Sequence, residues 1–224
     1  MRSDTELHDD VLAELRWDQR LREKDIAVAV REGVVTLAGT VESYAQRYAS
    51  ERAVERVKGV RAIVNDLAVK LPGGAERSDV DIAHAALDAM RWDIEIPHDR
   101  IKVKVTDGWV TLEGEVQWYF QKDSAERAVG HLAGVKGVSN LILVSPTPAP
   151  SDIKQRIKET FKRQAELDAD HITVETAEHK VVLKGNVESL AEKRAAERAA
   201  WNSPGVTRVD NQLRVGPAPA AVAW

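Results

Sequence analysis

The sequence repeats itself three times, and this constrains the fold more than any other feature. A shift of 75 residues lays Gly33, Val35, Thr36, Leu37, Gly39 and Val41 onto Gly108, Val110, Thr111, Leu112, Gly114 and Val116. A further shift of 71 reaches His179, Val181, Val182, Leu183, Gly185 and Val187. The same offsets carry Glu51-Arg52-Ala53 to Glu126-Arg127-Ala128 and Glu197-Arg198-Ala199, and Gly59-Val60 with Asn65 to Gly134-Val135 with Asn140 and Gly205-Val206 with Asn211. Self-similarity in one register marks one structural unit used repeatedly. The boundaries read as 1–72, 77–146 and 151–217. The seam at Leu71–Ser78 is rich in Pro and Gly and reads as flexible, whereas the alternating prolines of Ser145–Ser151 read as an extended, semi-rigid spacer.

Each repeat predicts the same elements. Leu7, Val11, Leu12 and Leu15 recur at helical spacing, as do Ile82, Ala86, Leu87 and Met90, and Ile153, Ile157 and Phe161. Ser3 with Glu6 and Ser78 with Asp81 have capping-box spacing at the start of this helix. Ile26, Val28 and Val30, a turn at Glu32-Gly33, then Val35, Leu37, Gly39 and Val41 form a hairpin pattern. A second helix opens at Ser43 or Ser189 and stops at Gly59 or its equivalents, and a last strand carries Ile63, Asn65, Leu67 and Val69. The expected fold class is α+β: three tandem small αββαβ modules, each a three-stranded mixed sheet packed on two helices, with the third strand parallel to the second. Gly33 and Gly108 stand where a tight turn favours positive φ, and His179 replaces them. Gly39, Gly114 and Gly185 share the parity of the core valines and read as structural glycines admitting a helix backbone.

The composition excludes several chemistries. Without cysteine the chain forms no disulfide and holds no thiolate metal site. The six histidines show no zinc-ligand spacing, although His171 and His179 share one hairpin. No nucleophile elbow, P-loop or dinucleotide fingerprint is present, so no catalytic residue, metal site or cofactor is expected. Lys plus Arg against Asp plus Glu runs 12 to 13, 8 to 12 and 12 to 11 over 1–74, 75–150 and 151–224, which predicts no nucleic-acid partner. Gly134-Val135-Lys136-Gly137 has the spacing of a KH clamp but stands between a helix and a strand. The start Met1–Asp10 shows no secretory pattern, giving a cytoplasmic expectation, with the periplasm as the alternative.

The amphipathic helix, the V-x-L-x-G-x-V strand, the second helix and the closing G-V-x-x-V-x-N-x-L-x-V together resemble the BON domain of bacterial osmotic-shock and nodulation proteins. That resemblance implies a non-enzymatic binding protein that engages phospholipid or the membrane surface under envelope or osmotic stress. A cytoplasmic relative that binds potassium makes a monovalent cation or a protein partner the alternative. Candidate contact residues, for a ligand or for an interface between repeats, are aromatic. Trp118, Tyr119 and Phe120 open the second helix of the middle repeat, where the other repeats place Ser43 and Ser189. Trp17 and Trp92 end the first helix of repeats one and two, where repeat three has Arg163, and predict that those two repeats pack together.

Overall fold

A computed structural model describes residues 2–145, 153–164, 167–168, 171–177 and 179–216. The first module contains α1 (Asp4–Trp17), β1 (Ile26–Arg31), β2 (Val34–Val41), α2 (Tyr44–Glu55) and β3 (Ala62–Val69). The second contains α3 (Asp79–Trp92), β4 (Ile101–Thr106), β5 (Trp109–Val116), α4 (Tyr119–Gly130) and a third strand broken into β6 (Gly137–Asn140) and β7 (Leu143–Val144). The third contains α5 (Ile153–Arg163), β8 (Ile172–Ala177), β9 (Lys180–Val187), α6 (Leu190–Trp201) and β10 (Arg208–Val215). The order is αββαβ three times, and the fold class is α+β as expected. The Pro-rich seam at Ser145–Ser151 falls, from Pro146 on, outside the described residues. At the first seam a turn closes with the Ala75 N–H donating to the Pro72 carbonyl at 2.9 Å.

Each sheet has its hairpin's second strand in the middle, in the orders β1-β2-β3, β4-β5-β6 with β7 also on β5, and β10-β9-β8. β4 runs antiparallel to β5 from Ile101↔Gly114 to Thr106↔Trp109, and β8 to β9 from Ile172↔Gly185 to Ala177↔Lys180. β6 and β10 lie parallel to β5 and β9, because a helical crossover returns the chain to the same end. The helices cover one face. In the third module Ile157 and Phe161 of α5 meet Val174, Val181, Leu183 and Leu213 of the sheet and Ala196 and Ala200 of α6 in one core. Ile82, Ala86 and Met90 do the same on Val110, Leu112, Val116, Ala125 and Val129. Each such fully buried large side chain is worth about 1.5–3 kcal/mol. Leu87, counted with the core by spacing, lies outside it on the helix flank and is exposed.

Contacts group the chain into two compact units, Met1–Leu37 with Ser50–Asp66 and Pro146–Trp224, and Ala38–Ala49 with Leu67–Ser145. The first module thus contributes to both.

Local chemistry fixes the joints. Ser3 and Ser78 cap α1 and α3, their hydroxyls accepting from the Glu6 and Asp81 N–H groups at 3.2 Å, while those carboxylates accept from the serine N–H groups at 2.8 and 3.3 Å. The Ser3 backbone and hydroxyl hold Glu6 below the ordinary carboxylate range, and the Ser78 hydroxyl and backbone do the same for Asp81. A carboxyl depressed in the folded state stabilises fully above its unfolded pKa of about 4, and that contribution disappears as pH falls through the folded value. Both helix starts should therefore fray only in acid, below the ordinary carboxylate midpoint. Carboxyl titrations by NMR with midpoints at or above the model-peptide range would contradict this.

Candidate functional site

The exposed aromatics follow from helical geometry. Leu15 and Met90 are the last core residues of α1 and α3, and Trp17 and Trp92 stand two positions on, about 200° round the helix and facing away from the sheet. Trp17 is 83% exposed, Trp92 87% and the neighbouring Ile94 101%. These tryptophans therefore do not pack the first two modules together, contrary to the expectation drawn from them. Trp17 borders the loop Asp18–Asp25, where Arg16, Leu21, Arg22, Glu23, Lys24 and Asp25 line an open groove of about 480 Å³.

Trp118 occupies the N-cap of α4 with extended backbone, and its indole makes no cap bond. The loss is met locally: the Gln121 N–H turns to the Trp118 carbonyl at 3.1 Å, and the Gln121 side-chain oxygen accepts from the N–H groups of Gln117 and Trp118, each at 3.1 Å. In the first module the Gln46 N–H has Ser43 Oγ instead, at 3.2 Å. Trp118 and Phe120 remain partly exposed, and Tyr119 is half-buried.

The modules meet through their second helices. In one unit, Tyr44, Ala45 and Tyr48 from the start of α2 lie against Asp123, Glu126, Arg127, Gly130 and His131 from the end of α4, leaving a cleft of only about 30 Å³. Gly130 admits the Tyr44 ring, whose Cε1 would stand 3.2 Å from an added Cβ. In the other unit, the start of α6 lies on the end of α2. The Gly59 N–H donates to the Glu188 carbonyl at 2.9 Å, Lys58 pairs with Glu188, and Arg194 pairs with Glu55 at 3.1 Å. In both units the first half of one second helix meets the last half of another. Neither Tyr44 nor the Glu55–Arg194 pair was anticipated, because the repeat conceals them: Tyr44 aligns with Tyr119 and Leu190, and Glu55 with Gly130 and Trp201.

The repeated polar residues serve the scaffold. Asp4 accepts from the Glu32 and Gly33 N–H groups at 2.8 and 3.1 Å, and Asp79 from those of Asp107 and Gly108, both at 2.8 Å. These clamps hold two-residue turns with φ of 51° and 76° at Glu32-Gly33, and 53° and 79° at Asp107-Gly108. In the third repeat Pro150 aligns with Asp79, and the turn uses His179 differently, its Nδ1–H donating to the Gly205 carbonyl at 2.7 Å. His171 pairs instead with Asp168, so the two histidines have separate partners. Asn140 and Asn211 donate to Glu126 and Glu197 at 3.1 Å, tying the last strand to the second helix. Lys122 reaches the Ile142 carbonyl at 2.7 Å, and burial pushes its ammonium below the usual lysine range.

The structural glycines Gly114 and Gly185 meet the backbone of the short 3-10 turn just before β4 and β8, not that of the module's long helices. A Cβ would lie 2.1 Å from the Arg100 carbonyl oxygen at Gly114 and 2.0 Å from that of His171 at Gly185. All three, with Gly39, have φ between 129° and 145°. Both glycines of the KH-like spacing have local roles: Gly134 lies in the turn after α4 with φ of 89°, and Gly137 lies under the Trp109 indole, whose Nε1 donates to Ser139 Oγ at 2.8 Å. Among the described residues no cluster of His, Asp or Glu could hold a metal ion, and no helix is long and apolar enough to cross a membrane.

Two solved structures of CdsD, a structural protein of the type III secretion system of Chlamydia trachomatis, align with 97% and 96% of the chain and 95% and 100% of their own, at 13% and 11% identity and TM-scores of 0.27 and 0.26. The osmotically-inducible protein Y of Escherichia coli K12 is 33% identical over 138 residues, covering 58% of this chain and 67% of its own length. The BON domain profile matches residues 3–70, 78–146 and 150–217, one match on each αββαβ module. With the repeated Gly, Asn and capping positions accounted for by this scaffold, the chain belongs to the BON domain family.

Proposed function

We propose that this chain is a non-catalytic, stress-associated binding protein that attaches to phospholipid surfaces through the ends of its first two modules' leading helices. The observation that carries the reading is the exposure of Trp17 and Trp92, which helix phase holds out in water, and of Ile94 in the turn after α3. Tryptophan favours the boundary where one end is apolar and the other wet. Arg22 and Lys24 line the groove in the loop that follows Trp17, interleaved with Glu23 and Asp25, and offer cations to anionic headgroups locally, which the net charge of −4 does not do globally. Trp118 and Phe120 are a further partly exposed aromatic pair of the second module. The link to osmotic stress is supported by the similarity to the osmotically-inducible protein Y.

The test is sedimentation with vesicles of phosphatidylcholine and phosphatidylglycerol. The double variant Trp17→Ala, Trp92→Ala should bind about tenfold more weakly, as expected when the two indoles together lose about 1.4 kcal/mol of interfacial binding. Because both side chains are exposed, its unfolding should shift by less than about 0.5 kcal/mol. Unchanged sedimentation of the double variant would remove the basis for this reading.

A further inference from the structure

The third module has lost the exposed tryptophan and gained a charged helix. Between Ile153 and Arg163, α5 carries Lys154, Arg156, Lys158, Lys162 and Arg163 against the single acid Glu159. All five cations are exposed, and none is ion-paired among the described residues. Arg163 donates to Thr160 Oγ1 at 3.0 Å, and Glu159 accepts from Gln155 at 2.9 Å. Lys154, Lys158 and Lys162 form one i, i+4, i+8 row, in which like charges repel and weaken the helix. The equivalent rows are His8, Leu12 and Arg16 in the first repeat and Ala83, Leu87 and Arg91 in the second, so the third departs from both.

The row borders a recess. Lys158 and Lys162, with Gln155, Glu159, Phe161, Ile172 and Thr173, line a groove of about 420 Å³ between α5 and β8. Its floor is apolar, since Phe161 and Ile172 are buried. Its far wall is a sheet edge: β8 ends the order β10-β9-β8 and has β9 as its one strand partner among the described residues.

We infer that this groove receives an extended acidic segment of a partner protein, which adds as a strand to the free edge of β8 and places alternate carboxylates on the lysine row. The spacings agree: successive lysines of the row rise about 6 Å along the helix, and alternate side chains of a strand are about 6.8 Å apart. Main-chain bonds to the edge give affinity, and the row selects charge. A bilayer fits less well, because the site is recessed and Arg163 stands where the other modules expose tryptophan. Single-stranded nucleic acid requires stacking aromatics, and Phe161, the aromatic of the groove, is buried. This site is independent of Trp17 and Trp92, so lipid and peptide binding can fail separately.

The probe is a short peptide alternating glutamate and valine, titrated into the full chain by calorimetry, with hydrogen exchange followed in parallel. Binding should protect the amides of Ile172–Ala177. The pair Lys158→Glu, Lys162→Glu should weaken it at least about tenfold, while Arg156→Glu, Arg163→Glu on the opposite flank changes it less than about twofold. Circular dichroism confirms that both variants fold, and Lys158→Gln, Lys162→Gln replaces the first pair if it does not. No peptide binding, no protection of β8, or equal losses from the two pairs overturns the inference. So does binding of phosphatidylglycerol vesicles or an oligonucleotide through the lysine row when the peptide fails.

Discussion

Gly114→Ala should destabilise the second module by about 3 kcal/mol or more, placing it among the most damaging single-methyl additions in the chain. Two effects act together. The residue holds φ at 145°, a region costly for any side chain, and the new Cβ would stand 2.1 Å from the Arg100 carbonyl oxygen. That oxygen cannot swing aside as a side chain would, because Arg100 is anchored by its N–H to the Pro97 carbonyl at 2.9 Å, just before β4 begins. Gly185→Ala should behave alike in the third module, where the His171 carbonyl oxygen stands at 2.0 Å and φ is 130°. Gly73→Ala is the control: nothing lies within 4 Å of its added Cβ, so its effect should stay within about 0.5 kcal/mol. Urea unfolding followed by hydrogen exchange localises each loss to its module. Equal stability of the Gly114 and Gly73 variants would show that the strand entry relaxes, contrary to the close approach.

That pair of positions shows what the repeat made legible and what it hid. Parity alone reads Gly39, Gly114 and Gly185 as structural, with a close neighbour expected at each; a close backbone neighbour is found at Gly114 and Gly185, whereas Gly39 is exposed. Parity could not say which neighbour. Strand register decides that, pairing Ile101 with Gly114 and Ile172 with Gly185, and register depends on turn geometry. The turns in turn depend on Asp4 and Asp79, first-turn helix residues whose distance from the hairpin in sequence gives no hint of their hydrogen bonds. The tryptophans failed differently. Trp17 and Trp92 were paired because they are alike, yet phase against Leu15 and Met90 already places them opposite the core. Charge counted by thirds also averaged away α5, whose cations are balanced by acids elsewhere in the same third. What recurs in all three repeats builds the module, and what differs between them makes the surfaces: Tyr44 on Gly130, Arg194 on Glu55, and the lysine row of α5.

Reversing one of those differing residues should separate two modules while leaving each folded. Arg194 of α6 reaches Glu55 of α2 at 3.1 Å and Glu51 at 3.9 Å, and Glu55, whose side chain is 8% exposed, otherwise relies on Arg52 at 3.1 Å. Arg194→Glu would place three carboxylates around one guanidinium. Breaking a largely buried pair typically costs 3–5 kcal/mol, and because Arg194 is 37% exposed, solvent lowers the expectation to about 2–3 kcal/mol. The loss should appear between the first and third modules: the Gly59 N–H, bonded to the Glu188 carbonyl at 2.9 Å, should exchange faster, while core amides such as Leu37 and Leu183 keep their protection. The double variant Glu55→Gln, Arg194→Gln should lose less than the sum of the two single losses, because the two side chains share one ion pair, although Arg52 then also loses its partner. A double variant as unstable as the sum of its parts would mean that the two side chains act independently and that the contact between α2 and α6 rests on the Glu188 bonds instead.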